Sequence, residues 1–341
     1  MLRFIKAFIL LLLFIPLSLG NEQQDTELNF NESWSNEERA ALTEFHRYLQ
    51  HDFCNDMWKR HLETQEAFHR HAPEQGMVIS HLISLSPDAF RSRIHQEIAP
   101  VLRLLVTTAT NGTVDEPTDS TIRATILAAQ TGYLAAVQAL VAHGADVNGS
   151  RESDDIHATP FTEVLSGCCI NDRKLPWSER KATVEFLHSQ GAELNSEGEA
   201  VLIALQLSLI VGHETEPWHW ALDHGRQVTP ACLDTMLTTP NGYSLAERVL
   251  RENRVDVNAD NGFRTPLQAL IEATASCEDA EELEELQAER KLELLLSAGA
   301  KPDSQNTLTL RRYLKNAELP ADATEILDHM LNKLQSTTYH D

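Results

Sequence analysis

One segment of the sequence recurs in altered form along the chain, and this repetition limits the possible folds more than any other feature. It reads VQALVAHGADVN at Val137–Asn148 and returns as VEFLHSQGAELN, RVLRENRVDVN and LELLLSAGAKPD, which begin at Val184, Arg248 and Leu292. Units of this size are expected to stack, because one unit alone cannot bury its apolar face.

Three of the four copies have the pattern of a short helix that ends at a glycine. In the first copy, Val137, Leu140 and Val141 occupy positions i, i+3 and i+4, and so share one face of a helix. Gly144 follows, and a residue without a Cβ can take the left-handed conformation that ends a helix. The helix before it is predicted to end within Ala128–Gly132. The unit is therefore predicted to be a pair of helices with one apolar side.

A second motif marks the start of several units. The sequence reads TPFTEV from Thr159, TPLQAL from Thr265 and, more weakly, TPACLD from Thr229. Threonine caps a helix through its hydroxyl, and proline fits the first helical position. Together with the ending that contains glycine, this motif resembles the ankyrin repeat, whose period is about 33 residues. The resemblance implies an all-α fold, an ankyrin-repeat solenoid of about five irregular helix pairs with short hairpin loops.

The spacing of the closing positions is irregular. Gly144, Gly191 and Gly225 lie 47 and 34 residues apart, Arg254 is assigned to the fourth closing position, and Gly299 follows 45 residues later. Two units therefore carry insertions of roughly 14 and 12 residues over the usual period.

We assign these insertions to Gly167–Arg180 and Ser276–Gln287. An insertion inside a helix would rotate its apolar stripe out of register, so both are expected to leave the packed helices as surface extensions. The first would expose Lys174, Trp177 and Arg180. The second is acidic, and is interpreted as a solvated helix face.

The remainder of the chain lacks the repeat. Its N-terminal part contains a capping box, Ser35 with Glu38, followed by Leu42, Phe45 and Leu49 on one helical face. The predicted domains are a signal peptide at 1–20, a small helical N-terminal region at 21–106, a linker at 107–119, the repeats at 120–304 and a C-terminal helical cap at 305–341.

The first twenty residues have the composition of a secretory signal. Arg3 and Lys6 precede an apolar run from Ala7 to Leu17, which is shorter than the roughly 20 residues of a spanning helix. This predicts a periplasmic or secreted protein that is not membrane-bound after cleavage. The formal net charge of −23 disfavours binding to nucleic acid, since no basic stripe is present to neutralise phosphates.

The residues that could carry chemistry do not form a recognisable site. Histidines are frequent from His46 to His95, but none are paired at the i, i+4 spacing of a helical metal site. The five cysteines are too few and too scattered for a disulfide scaffold. We therefore predict no catalytic, cofactor-binding or metal-binding residue and no cofactor.

The resemblance implies a scaffold that binds another protein through its hairpin tips and first helices. Two alternatives remain open: an effector or enzyme with its activity in the N-terminal helical region, and a helper of a periplasmic redox enzyme. The tips depart from the family's D-x-x-G-x-T-P pattern, because the first lacks the glycine and the second has an extra residue before Thr265. The candidate partner-binding residues are Asp154, Asp155, His157, Trp177, Trp218, Trp220, Asp260, Asn261, Phe263 and Arg264.

Overall fold

The protein is α-helical throughout the residues that its computed structural model describes. These are residues 27–59, 87–111, 119–149, 158–167, 175–194, 200–210, 214–316 and 319–338. They form α-helices and one short 3-10 helix, and no strand occurs among them, so the predicted all-α class is confirmed. Within these ranges no helix has both the length and the apolar composition needed to cross a bilayer. The predicted signal peptide lies outside them.

The helices are named α1 to α15 in chain order. The first four are α1 Asn36–His51, α2 Pro87–Asn111, α3 Asp119–Gln130 and α4 Leu134–Ala142. The next six are α5 Pro160–Ser166, α6 Trp177–Ser189, α7 Ala200–Ile210, α8 Glu216–Asp223, α9 Pro230–Thr238 and α10 Tyr243–Arg251. The last five are α11 Pro266–Thr274, α12 Ala280–Leu286, α13 Ala288–Ser297, α14 Ser304–Asn316 and α15 Ala321–Thr338. The described residues fall into two compact units, α1 to α4 and α5 to α15.

In the first unit, α1 begins at the capping box that the sequence predicts. The Ser35 hydroxyl accepts the Glu38 N–H at 3.2 Å, and the Glu38 carboxylate accepts the Ser35 N–H at 2.8 Å. Leu42, Phe45 and Leu49 are fully buried, and α1 packs against α2 and α4. The predicted apolar face is thus the buried face. α2 continues to Asn111, so the first five residues of the predicted linker are helical.

The helices of the second unit follow one another in pairs. The pairs are α5 with α6, α7 with α8, α9 with α10, α11 with α13, and α14 with α15. The first helix of each pair also packs against the first helix of the next, so α5, α7, α9, α11 and α14 form one row. Each pair therefore buries its apolar side against a neighbouring pair, as expected for units that cannot fold alone.

Three of these first helices begin at the predicted threonine–proline motif. The hydroxyl oxygens of Thr159, Thr229 and Thr265 accept backbone N–H groups three residues further on, at 3.1, 3.4 and 3.3 Å. A proline occupies the first helical turn in each case. The motif therefore has the local role that the sequence indicates, which is to satisfy the exposed N–H groups where a helix starts.

One residue in the left-handed conformation follows each of five helices, α4, α6, α8, α10 and α13. Gly144, Gly191, Gly225 and Gly299 have φ values of 105, 94, 85 and 88 degrees. The assignment of Arg254 to the fourth closing position was wrong by one residue, because Asn253 takes the left-handed conformation, with φ of 53 degrees. Asparagine adopts this conformation more readily than other residues with a Cβ. The Arg254 N–H then donates to the Val249 carbonyl, as the residue after each glycine does in its own turn.

The first predicted insertion is not a surface extension at its C-terminal end. Trp177 begins α6, and Arg180 is a fully buried residue of that helix with 1% exposure. Lys174 lies outside the described residues. The distance between the closing glycines showed that this unit has extra residues, but it did not show where the next helix begins. Arginine is usually exposed, so Arg180 was assigned to the surface.

The second predicted insertion contains a helix of its own. α12 turns Leu283 and Leu286 into the core and packs against α13 and α15, whereas the carboxylates of α12 point outward. The exposed residues are Glu281, Glu282, Glu284 and Glu285. The predicted solvated acidic face is confirmed, and the prediction of an extension that leaves the packed helices was wrong, since the apolar side of α12 is part of the packing.

Leu140 provides a test of which repeat face is buried. It is fully buried in α4, so Leu140→Ala should lower the free energy of unfolding by about 2 to 5 kcal/mol through lost contacts and a residual cavity. Asp260→Ala, at an exposed turn, should cost about 1 kcal/mol or less. Urea titrations of both variants check this, and equal losses would contradict the assignment of the faces.

Candidate functional site

Two of the candidate partner-binding tryptophans belong to the core. Trp218 and Trp220 are 0% and 5% exposed, and the Trp218 indole N–H donates to the Leu205 carbonyl at 2.8 Å. One of the two was predicted to fill the core and the other to be an exposed contact; the first prediction is confirmed and the second was wrong, since both are buried. Side chains two residues apart on a helix point in different directions, but α8 is covered on both sides, since Phe161 and His188 pack over Trp220.

Trp177 is half-buried and packs within the protein. Its ring meets that of Trp220 edge to face, with 6.4 Å between the centroids. The Arg180 guanidinium lies 5.3 Å from the centroid of the Trp177 ring. These contacts fix the start of α6. The other candidates in this part of the chain, Asp154, Asp155 and His157, lie outside the described residues.

The four remaining candidates form one closed turn, residues 260–264, here called the tip. It joins α10 to α11. The Asn261 N–H donates to the Arg264 carbonyl at 3.1 Å, and Gly262 has φ of 93 degrees, a conformation that favours glycine. Asp260 accepts the Gly262 N–H at 2.8 Å. The Asn261 side-chain oxygen accepts the N–H groups of Phe263 and Arg264 at 3.0 and 3.1 Å. The extra residue thus lies within a hydrogen-bonded turn.

Phe263 projects from the tip into solvent. It is 95% exposed, whereas the other exposed large apolar side chains of the described residues, Ile210 and Leu308, are 39% and 40% exposed. Burying a phenylalanine side chain releases roughly 1.5 to 3 kcal/mol. The tip therefore holds a large apolar group outside the core, at a position fixed by the main-chain hydrogen bonds on either side of it.

The tip is anchored to α9 by Asp234, a residue that the sequence did not indicate as functional. Asp234 is 5% exposed, and its Oδ2 accepts the Asn261 side-chain N–H at 2.7 Å. The same oxygen accepts Arg264 Nε at 3.4 Å, and Arg264 also pairs with Glu272 of α11. Burial raises the pKa of Asp234 to about 6 against the opposing effect of Arg264.

A sequence signal for Asp234 does exist. It is the sixth residue of the weak motif TPACLD, and the sixth residues of the other two motifs are Val164 and Leu270, both buried. A carboxyl group at a position that is otherwise apolar indicates a polar partner nearby, because burying an unpaired charge is costly. The partner itself could not be inferred, since Asn261 and Arg264 are about thirty residues further along.

Polar contacts also connect the row of first helices on either side of Asp234. Gln206 of α7 donates to the Thr235 hydroxyl of α9 at 2.8 Å. Gln268 of α11 donates to Asp303, just before α14, at 3.2 Å. Such bonds connect neighbouring helices of the row.

The groups considered for chemistry lie elsewhere. Cys54, Cys232 and Cys277 are buried, and burial raises the pKa of Cys277 to about 11, which disfavours the reactive thiolate. Across the described ranges, no group of three His, Cys, Asp or Glu side chains is placed to hold a metal ion. His61, His69, His71 and His81 lie outside those ranges.

Comparison with known proteins adds no relative. No protein-family model matches the chain, and no curated protein is significantly similar to it in sequence.

Proposed function

We propose that the repeated helix pairs are ankyrin-type repeats. The support is local and recurrent. A threonine–proline cap starts the first helix of three pairs, and a left-handed glycine or asparagine follows α4, α6, α8, α10 and α13. In α5 to α14 the first helices also pack in one row. In a solenoid of such units each helix pair packs against the pairs before and after it. The surface that these contacts do not cover remains accessible along the whole stack and can bind a partner.

We infer that this protein binds another protein through the tip. The observation that carries the inference is the 95% exposure of Phe263 on a turn closed by hydrogen bonds. The backbone that carries this aromatic side chain is already closed by hydrogen bonds, so ordering the turn on binding costs little conformational entropy, and the ring is suited to dominate an interface. Following the predicted signal peptide, we place this interaction outside the cytoplasm.

The chemistry of the tip defines the kind of partner. The partner offers an apolar pocket for the Phe263 ring, with basic groups at its rim. Asp256 and Asp260 are exposed close to the ring in sequence, and the whole chain has a net charge of −23. Complementary charge at a rim increases the rate of association and excludes partners of the wrong sign.

Phe263→Ala should weaken partner binding at least tenfold and leave folding unchanged. The ring makes up the apolar centre of the proposed contact, and loss of such a residue typically costs more than about 1.4 kcal/mol, which is a factor of ten. Because the side chain is exposed, the free energy of unfolding should change by less than about 0.5 kcal/mol. Leu308→Ala, an exposed apolar residue of α14, is the matched control and should bind normally.

A photoreactive phenylalanine analogue at position 263 identifies the partner. A specific partner gives one cross-linked product that excess wild-type protein abolishes and excess Phe263→Ala does not. The same analogue at position 308 reports non-specific contact. Equal competition by wild type and Phe263→Ala would contradict the proposed role of the tip.

A further inference from the structure

The tip rests on a carboxyl group that uses only one of its oxygens. Asp234 Oδ2 accepts both donors of the tip, from Asn261 at 2.7 Å and from Arg264 at 3.4 Å. Asp234 Oδ1 is buried and has no hydrogen-bond partner. A proton can therefore occupy Oδ1 without displacing either contact that holds the tip.

The charged groups around Asp234 come from the tip and from α11. Arg264 of the tip favours the ionised carboxylate, and Glu272 of α11 disfavours it. α7 faces α9 with the uncharged Gln206, which donates to Thr235. From α13, Lys291 donates to the Leu237 carbonyl at 3.1 Å, at the far end of α9. Burial of the carboxyl group outweighs the attraction of Arg264.

We propose that Asp234 makes the tip responsive to protons: uptake of a proton by this buried carboxyl group favours the closed tip that displays Phe263, and ionisation loosens it. The importance of this for binding rests on the function proposed above for the tip. Opening the tip would expose Asp234 to water, where the charged form is stabilised by hydration. Closure keeps water away from the carboxyl group, and so favours the neutral form.

The direction of the effect follows from proton linkage. Asp234 has a pKa of about 6 beneath the closed tip, against the ordinary value of 3.8 for a hydrated aspartate. The closed tip therefore binds the proton more tightly. Its added stability is fully present below about pH 3.8 and is lost as the pH rises through about 6. Between pH 7.5 and pH 5, these two values predict that the equilibrium constant for closure increases about tenfold.

Hydrogen exchange of the tip amides measures this equilibrium without any partner. The N–H groups of Phe263 and Arg264 donate within the closed tip, so their protection factors, corrected for intrinsic exchange, report closure. In the wild type they should be about tenfold higher at pH 5 than at pH 7.5, with the increase beginning as the pH falls through about 6. Asp234→Asn, which is neutral at every pH, should abolish this dependence.

Glu272→Gln is the matched control. It removes the other carboxylate next to Arg264, so it should keep the pH dependence and shift the start of the increase to lower pH. Protection that is constant with pH in the wild type, or that increases with pH, would overturn the proposal. So would an Asp234→Asn variant that responds as the wild type does. If that variant does not fold, a carbon-13 NMR titration of the Asp234 carboxyl group in the wild type measures its pKa directly. A pKa near 4 would contradict the proposal.

The two proposals fail separately. Constant protection together with a strong Phe263→Ala binding defect would remove the proton response and leave the binding function intact. Protection that increases at low pH, together with normal binding by Phe263→Ala, would support the proton response and remove the proposed binding function of the tip.

Discussion

Arg180→Ala should lower the free energy of unfolding by about 3 to 5 kcal/mol, the range for breaking a buried ion pair from one side. The Arg180 guanidinium donates to the Val164 and Leu165 carbonyls at 2.8 and 2.7 Å, and it also pairs with Glu214. It therefore satisfies the C-terminal carbonyls of α5 and links that helix to the chain before α8. An alanine would leave these carbonyls and the Glu214 carboxylate without this cation in a place that water barely reaches.

The neighbouring residue supplies the control. Lys181 is 49% exposed and pairs with Glu185 at 3.6 Å on the surface of α6, so Lys181→Ala should cost less than about 0.5 kcal/mol. The double variant Arg180→Met with Glu214→Gln should recover part of the loss, because it removes both charges together. Urea titrations followed by circular dichroism measure all three. If Arg180→Ala and Lys181→Ala lowered the free energy of unfolding by similar amounts, the buried contacts of the Arg180 guanidinium would not contribute to stability in this way.

Gly242→Ala should destabilise the protein by about 3 kcal/mol or more. Gly242 closes the 3-10 turn between α9 and α10, and an added Cβ would lie well inside contact distance of the Met236 main-chain carbonyl. The obstacle is backbone, so it cannot move aside as a side chain would, and the cost exceeds that of ordinary overpacking.

Gly299→Ala is the control for Gly242→Ala. Gly299 has φ of 88 degrees and open space where a Cβ would be, so its substitution costs only the backbone strain of about 1 to 2 kcal/mol. Thermal unfolding should show a clearly larger decrease in Tm for Gly242→Ala than for Gly299→Ala. The reverse order would mean that the turn between α9 and α10 can relax at little cost.

Local sequence was sufficient for several of the helices and for most of their ends. The caps at Ser35, Thr159 and Thr265 depend on atoms within four residues, so the residue types alone predict them. The same holds for the buried face of α1 and for the glycine endings. The fourth ending was displaced by one residue because Asn253 and Arg254 are adjacent, and only the backbone shows which of them is left-handed.

The candidate site was predictable only in part. Phe263 and the rest of the tip were identified from their place between two repeats. Asp234, which anchors the tip, was missed because its contacts span about thirty residues and no local rule connects them. One of Trp218 and Trp220 was expected to be exposed, in error, because helical periodicity describes one helix and says nothing about how many neighbours cover it.

The sequence by itself determined that the chain is built from short helix pairs, since periodicity, caps and glycine endings act over a few residues. Tertiary structure alone decided which charged residues are inside. Arg180 and Lys291 are fully buried, each donating to main-chain carbonyls at the end of another helix. A charged side chain is favoured in the core only when such acceptors surround it. These acceptors are main-chain atoms far away in sequence, so they become partners only when the helices pack.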